Sequence, residues 1–74
     1  MRISPPQKNL TFTSRLYSHR ILVPISQTEL AKELGISRQT LIAIEKGTAQ
    51  PSLFTALRIA EYFRTSVEKL FSFR

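Results

Sequence analysis

The chain has 74 residues, and its 11 Lys and Arg against 5 acidic residues give a formal net charge of +6. This length allows one domain with a small core and leaves little room for an enclosed active site. The basic balance favours polyanionic partners such as nucleic acids, although other classes of basic protein share it. The chain has no cysteine, which excludes disulfide frameworks and cysteine-ligated zinc.

Composition divides the chain into three parts. Residues 1–12 contain Pro5-Pro6 and few apolar side chains, which predicts a flexible N-terminal arm. Residues 13–71 form the predicted domain, and residues 72–74 a C-terminal tail. No apolar run approaches the roughly 20 residues of a membrane span, and no signal-peptide pattern is present. We therefore expect a cytoplasmic protein.

The first helix is predicted from about Thr13 to Leu22. Leu16, Arg20 and Val23 share one face at helical spacing. Pro24 ends the helix, because the residue before a proline is pushed out of the α region.

Two further helices follow with a very short connection. Ser26-Gln-Thr-Glu29 is a capping box that begins helix 2, and Gly35 ends that helix by accepting the left-handed conformation. Ser37 caps helix 3, which ends at Gly47. Ile36 and Leu41 are expected to fill the elbow between the two helices.

The remaining chain predicts two more helices, capped by Ser52 and Ser66. Apolar residues recur at helical spacing in both of them. Those in helix 4 are Leu53, Ala56, Leu57, Ala60 and Phe63, and those in helix 5 are Val67, Leu70 and Phe71. The aromatic side chains expected in the core are Phe12, Tyr17, Phe54, Tyr62 and Phe63. With no convincing strand, the fold class is all-α: a compact five-helix bundle.

Residues 26–46 have the layout of a helix-turn-helix, in which the second helix places its N-terminal residues in the DNA major groove. Arg38, Gln39 and Thr40 are side chains that can pair with guanine, adenine and the thymine methyl group. A first helical turn usually prefers acidic residues, whereas this one carries Arg38. The alternative is a bundle turn with a solvated polar cap, since such turns also occur in proteins that do not bind DNA.

The pattern S-Q-x-E-L-A-x-x-L-G-x-S-x-x-T-x-x-x-I-E-x-G over residues 26–47 resembles the Xre/Cro-type helix-turn-helix of lambdoid phage repressors and bacterial regulators. The similarity extends over roughly residues 13–71. It implies the lambda repressor-like fold and a sequence-specific regulator, a repressor, that binds a double-stranded DNA operator through the helix starting at Ser37.

The resemblance also implies roles for individual residues. The residues at the family's base-reading positions are Gln27, Arg38, Gln39, Thr40 and Ala43. The residues at its phosphate-contacting positions are Ser26, Ser37, Lys46 and Thr48. Arg20 and Glu45 match an ion pair between helices 1 and 3, and a charge on the apolar face of helix 1 needs such a partner.

Two departures from the family pattern bear on the backbone. Pro24 stands where a glycine is frequent in the turn after helix 1. Arg64 stands where a glycine often ends helix 4, so a left-handed residue with a side chain is possible there.

One small module has limited specificity, so we expect a homodimer on a two-fold operator, formed through helix 5 and the C-terminal tail. The alternative function is an antitoxin-type module that binds a protein partner and also regulates its own promoter. An enzyme is not expected, because no catalytic constellation is present. The single histidine, His19, cannot assemble a metal site, and we expect no metal or other cofactor.

Overall fold

The computed structural model describes residues 11–73. Within these residues the chain forms seven short elements, and the predicted five-helix architecture is confirmed. In chain order they are β1 (Phe12–Ser14), α1 (Leu16–Leu22), α2 (Gln27–Leu34), α3 (Arg38–Lys46), α4 (Leu53–Tyr62), α5 (Val67–Leu70) and β2 (Phe71–Phe73). No helix within residues 11–73 is long and apolar enough to cross a membrane.

The helix-turn-helix is set by its local sequence. The capping box forms as predicted: the Ser26 side chain accepts from the Glu29 backbone N–H, and the Glu29 side chain accepts from the Ser26 backbone N–H. Gly35 ends α2 in the left-handed region with φ 71°. The N–H of Ile36 then donates to the Ala31 carbonyl at 3.0 Å, which closes the helix end and turns the chain toward α3.

The later helices begin at serine caps in the same way. The Ser52 and Ser66 side chains accept from the backbone N–H groups of Thr55 and Lys69. Past the end of α4, Arg64 has a φ of 54°, which is the left-handed conformation in a residue with a Cβ. Arg64, which stands where the family often has glycine, therefore adopts the left-handed conformation despite its side chain, and the backbone there is strained.

The prediction of no strand is wrong. β1 and β2 pair antiparallel, with Phe12 opposite Phe73 and Ser14 opposite Phe71. Each strand has three residues, too few to show an alternation of apolar and polar side chains in the sequence. The two strands are also far apart in the chain, since 59 residues separate Thr13 from its partner Ser72. Helix 1 consequently begins at Leu16 rather than near Thr13. Of the predicted arm, Phe12 lies in β1 and Thr11 directly precedes it, while residues 1–10 are outside the described residues; residues 72–73 of the predicted tail lie in β2.

Arg15 joins the sheet to α5. Its side chain donates to the carbonyls of Lys69 at 2.8 Å and Glu68 at 3.0 Å, and to the Ser72 hydroxyl at 3.1 Å. Its backbone N–H donates to the Leu70 carbonyl at 2.7 Å. A cation at a helix C-terminus is favourable because the exposed carbonyls carry partial negative charge.

The core is aliphatic and draws on all five helices. Its six fully buried large side chains are Leu16, Leu30, Leu41, Ile44, Ile59 and Leu70. Phe71 is buried as predicted but lies in β2 rather than in helix 5, and Phe12, Ile36 and Phe63 pack partly buried against this cluster.

Several residues expected in the core are exposed instead. Exposure is 53% for Tyr17, 66% for Phe54 and 54% for Leu57, with Leu53, Tyr62 and Val23 also exposed. In α4 the buried side is made by Ala56, Ile59 and Ala60. Ala56 and Ala60 are buried as predicted, but apolar residues occur all around this helix, so spacing alone did not separate them from the exposed Leu53 and Leu57.

Candidate nucleic-acid interface

The first turn of α3 is polar and exposed, whereas the apolar side of the same helix is buried. Ser37 and the following three residues, Arg38, Gln39 and Thr40, are all exposed. One residue further, Leu41 is fully buried, and Ile44 is 1% exposed. The apolar side of α3 thus fixes the helix while its N-terminal end faces solvent, which is the geometry needed to enter a groove about as wide as a helix.

Ser26 and Ser37, which begin α2 and α3, each use the side-chain hydroxyl as both an acceptor and a donor within the first helical turn. Ser37 Oγ accepts from the Thr40 N–H at 3.0 Å and donates to Thr40 Oγ1 at 2.8 Å. Ser26 Oγ accepts from the Glu29 N–H at 3.0 Å and donates to Glu29 Oε1 at 3.2 Å. A phosphate near either serine would compete with an acceptor inside its own helix.

The structure brings Arg20 and Glu45 together. Arg20 donates from Nε to Glu45 Oε2 and from Nη2 to Oε1, the second at 3.4 Å. Their side chains are 13% and 5% exposed. Arg20 Nη1 also donates to the Ile25 carbonyl at 3.1 Å, so one guanidinium joins α1, the segment before α2, and α3.

Gln27 links this buried pair to the exposed first turn of α3. Its Nε2 donates to Glu45 Oε1 at 3.1 Å, and its Oε1 accepts from Arg38 Nη2 at 3.2 Å. Four side chains from three helices therefore form one polar chain, in the order Arg20, Glu45, Gln27, Arg38. Sequence analysis named all four residues but missed the two bonds of Gln27. Glu45 is the only acidic residue of α3, which was the one available signal.

The C-terminal end of α3 carries the remaining predicted residues. Ala43 is half-buried, and its carbonyl accepts from the backbone N–H of Thr48 at 3.0 Å and from Thr48 Oγ1 at 3.2 Å. Lys46 is exposed in the last turn. Thr48 and Lys46 therefore lie at the opposite end of the helix from Arg38, and Thr48 is engaged in closing that end.

Comparison with known proteins gives a consistent result. A family model described as helix-turn-helix matches residues 18–70. An HTH-type transcriptional regulator of Methanocaldococcus jannaschii is 48% identical over 58 residues, covering 78% of this chain and 88% of that protein. An HTH-type transcriptional regulator of Archaeoglobus fulgidus is 40% identical over 60 residues, covering 81% of this chain and 86% of that protein.

A phage protein extends this set. The CTXphi transcriptional repressor RstR of Vibrio cholerae is 31% identical over 61 residues, which cover 82% of this chain and 55% of that protein. The matched family model spans the capped helices, the Gly35 turn and the exposed first turn of α3. The chain therefore belongs to the Xre/Cro-type helix-turn-helix family of DNA-binding transcriptional regulators.

Proposed function

We propose that this chain is a sequence-specific repressor that binds a two-fold operator as a homodimer and reads base edges in the major groove with the first turn of α3. The observation that carries the proposal is the exposed turn formed by Ser37, Arg38, Gln39 and Thr40 above the buried Leu41 and Ile44. A rigid helix with a free polar end supports direct readout, because base contacts need fixed geometry.

Base recognition is assigned to the side chains around this turn. Arg38 suits guanine and Gln39 suits adenine, since each can make two hydrogen bonds to its base. The Thr40 methyl and, one turn later, Ala43 offer apolar contacts to thymine. Gln27 contributes through its hydrogen bond with Arg38.

Phosphate contacts are assigned to both ends of the motif. Lys46 is exposed and is the one cation among Ser26, Ser37, Lys46 and Thr48, so it supplies the charge-dependent part of binding. The hydroxyls of Ser26, Ser37 and Thr48 are engaged within the protein. Each hydroxyl must give up this internal hydrogen bond and rotate toward the DNA before it can donate to a phosphate. These three contacts therefore form only when a phosphate comes close.

The assignment of repression rests on similarity and mechanism together. One similar protein is by name a phage transcriptional repressor. A small domain that occupies an operator overlapping a promoter blocks access to it without any further domain.

Dimerisation is assigned to the surface around α5 and β2. An open cleft of about 290 Å³ there is lined by Phe12, Val67, Glu68, Phe71, Ser72 and Phe73. Phe73 at its rim is 67% exposed. A second copy related by a two-fold axis would present the same apolar surface and cover both clefts at once.

Selection of bound sites from random duplexes tests the proposal directly. We expect a two-fold consensus with half-sites about one helical turn apart. A protein that recovers no consensus at physiological salt would contradict sequence-specific recognition.

A further inference from the structure

We propose that Ile42 is a further specificity-determining residue, and that it recognises the C5-methyl group of a pyrimidine in the major groove, as carried by thymine or 5-methylcytosine. This inference rests on the proposed function, because it assumes that α3 lies in the groove. It adds to the contacts of the first turn an apolar contact from the second turn of the same helix.

Ile42 lies on the outward side of α3. At about 100° per residue, its side chain points about 160° away from that of Ile44, which is buried against the core. It shares one ridge of the helix with Arg38 and Lys46, which lie four residues before and after it and are both exposed. Ile42 therefore stands between the proposed base-reading turn and the proposed phosphate contact.

The fold makes little use of this side chain. Ile42 is half-buried, yet among residues 11–73 it is neither a member of the core cluster nor one of the apolar side chains that pack against that cluster. The buried side of α3 is made by Leu41 and Ile44 instead. The accessible part of the Ile42 side chain therefore remains for a contact outside the domain.

The neighbours of Ile42 favour DNA over a protein as the source of that contact. Arg38, Gln39 and Lys46 surround it on the outward side, and all three are exposed. A protein that covered Ile42 with an apolar surface would also take two cations out of water, which is costly without partners. DNA offers phosphates to the cations and a methyl group in the groove to the isoleucine.

The chemistry of isoleucine suits recognition of a methyl group. A β-branched side chain in a helix has one strongly preferred χ1 rotamer, so little side-chain entropy is lost on contact. It carries no hydrogen-bonding atom and cannot distinguish the O4 acceptor of thymine from the N4 donor of cytosine. Ile42 is thus expected to read the C5-methyl group itself, whichever pyrimidine carries it.

This contact is separate from the two thymine contacts assigned above. Thr40 lies about 160° around the helix from Ile42, and Ala43 lies about 100° from it. The three side chains therefore face different parts of the groove. Removing one methyl group at a time from the DNA can separate their effects.

The test replaces each thymine of the selected operator in turn by deoxyuridine, which lacks only the C5-methyl group. Affinity is measured for the wild type and Ile42→Ala, a change that favours the helix. Ile21→Ala is the matched control, the same change at an exposed isoleucine of α1. We expect the wild type and Ile21→Ala to lose about fourfold at one thymine, the effect of burying one methyl group. Ile42→Ala should lose nothing there.

A second arm replaces this thymine–adenine pair by cytosine–guanine, with and without a methyl group on cytosine C5. We expect methylation to raise wild-type affinity by about fourfold and to leave Ile42→Ala unaffected. A response to thymine alone would show that the base, and not its methyl group, is recognised. A selected consensus in which Ile42→Ala changes the response to no methyl group would overturn the inference, whereas a wild-type chain that recovers no consensus would refute the proposed function.

Discussion

Individual side chains at this surface serve the fold and the proposed recognition at the same time. Ser37 caps α3 through the Thr40 N–H, and its hydroxyl proton is directed to Thr40 Oγ1. Glu45 is nearly buried, yet it accepts a hydrogen bond from Gln27, whose amide oxygen accepts one from the exposed Arg38. Substitutions here will therefore change binding and stability together unless the residue is fully exposed and makes no cap.

Gln39 meets that condition best. It is exposed in the first turn of α3, and the cap of this helix is made by Ser37 rather than by Gln39. We expect Gln39→Ala to weaken operator binding by about 1–3 kcal/mol and to relax the preference at one base pair. Titration of the operator and of a random duplex measures this. If both duplexes lose affinity equally, Gln39 does not read sequence.

Lys46 should behave differently, because a phosphate contact carries no sequence information. Lys46→Ala is expected to weaken binding to every duplex alike. The slope of log affinity against log salt should become shallower by about one unit, as one counterion fewer is released. An unchanged salt slope would show that Lys46 does not contact the backbone.

The candidate residues could be identified from sequence because they follow directly from the caps. Ser26 and Ser37 fix where each helix begins, and the positions of Arg38, Gln39 and Thr40 follow by counting. The bond between Gln27 and Glu45 could not be foreseen, since 18 residues separate them and their meeting depends on how α2 and α3 cross.

At the level of elements, features that local sequence signals define are predicted correctly, whereas features that depend on how distant segments pack are not. α2 and α3 were placed correctly because a capping box and two left-handed glycines are local signals. α4 was placed correctly, but its buried side was predicted only in part, since Ile59 was missed. Its alanines, Ala56 and Ala60, face the core, while the larger Leu53, Phe54 and Leu57 face solvent. Size and hydrophobicity alone point to the opposite side.

The end of α4 offers a test of strain in a single element. Arg64 has a φ of 54°, where a side chain costs about 1–2 kcal/mol. A glycine removes this conformational cost from the folded state. Part of the resulting gain in stability is offset, because glycine also raises the conformational entropy of the unfolded chain. We expect Arg64→Gly to raise the free energy of unfolding by about 0.5–1 kcal/mol.

Urea denaturation measures this change, and Arg64→Ala is the matched control. Alanine removes the guanidinium but keeps the Cβ atom, so it should leave stability nearly unchanged. A gain with Arg64→Ala equal to that of Arg64→Gly would place the effect in the side chain and not in the backbone.

At the level of the whole molecule, the proposed dimer depends on the cleft beside α5. Phe73 lies at its rim and is 67% exposed. Covering a phenylalanine is worth about 1.5–3 kcal/mol, and a two-fold interface covers it twice. We expect Phe73→Ser to raise the dimer dissociation constant by at least about tenfold.

Sedimentation at micromolar concentration, with and without operator, measures the association. Leu22→Ser is the control, since Leu22 is 82% exposed at the end of α1, a different element from those that line the cleft. We expect it to leave association unchanged. A wild-type protein that remains monomeric even on operator DNA would contradict the dimer.

The sheet is the feature of the whole molecule that sequence could least reveal. Each strand is three residues long, and Thr13 meets Ser72 only because the five helices between them return the chain to its starting point. Local strand propensity does not reveal the pairing of β1 with β2, because this pairing depends on how the helices between them pack.

The same pairing has a mechanical consequence. Phe12 and Phe73 are opposite each other at the outer end of the ladder, so tension applied through these two residues would pull the strands apart sideways. The hydrogen bonds of an antiparallel pair lie across the strands and would then break one after another, as in a zipper, instead of sharing the load. Stretched through these residues, the domain should yield first at the sheet while α2 and α3 remain folded.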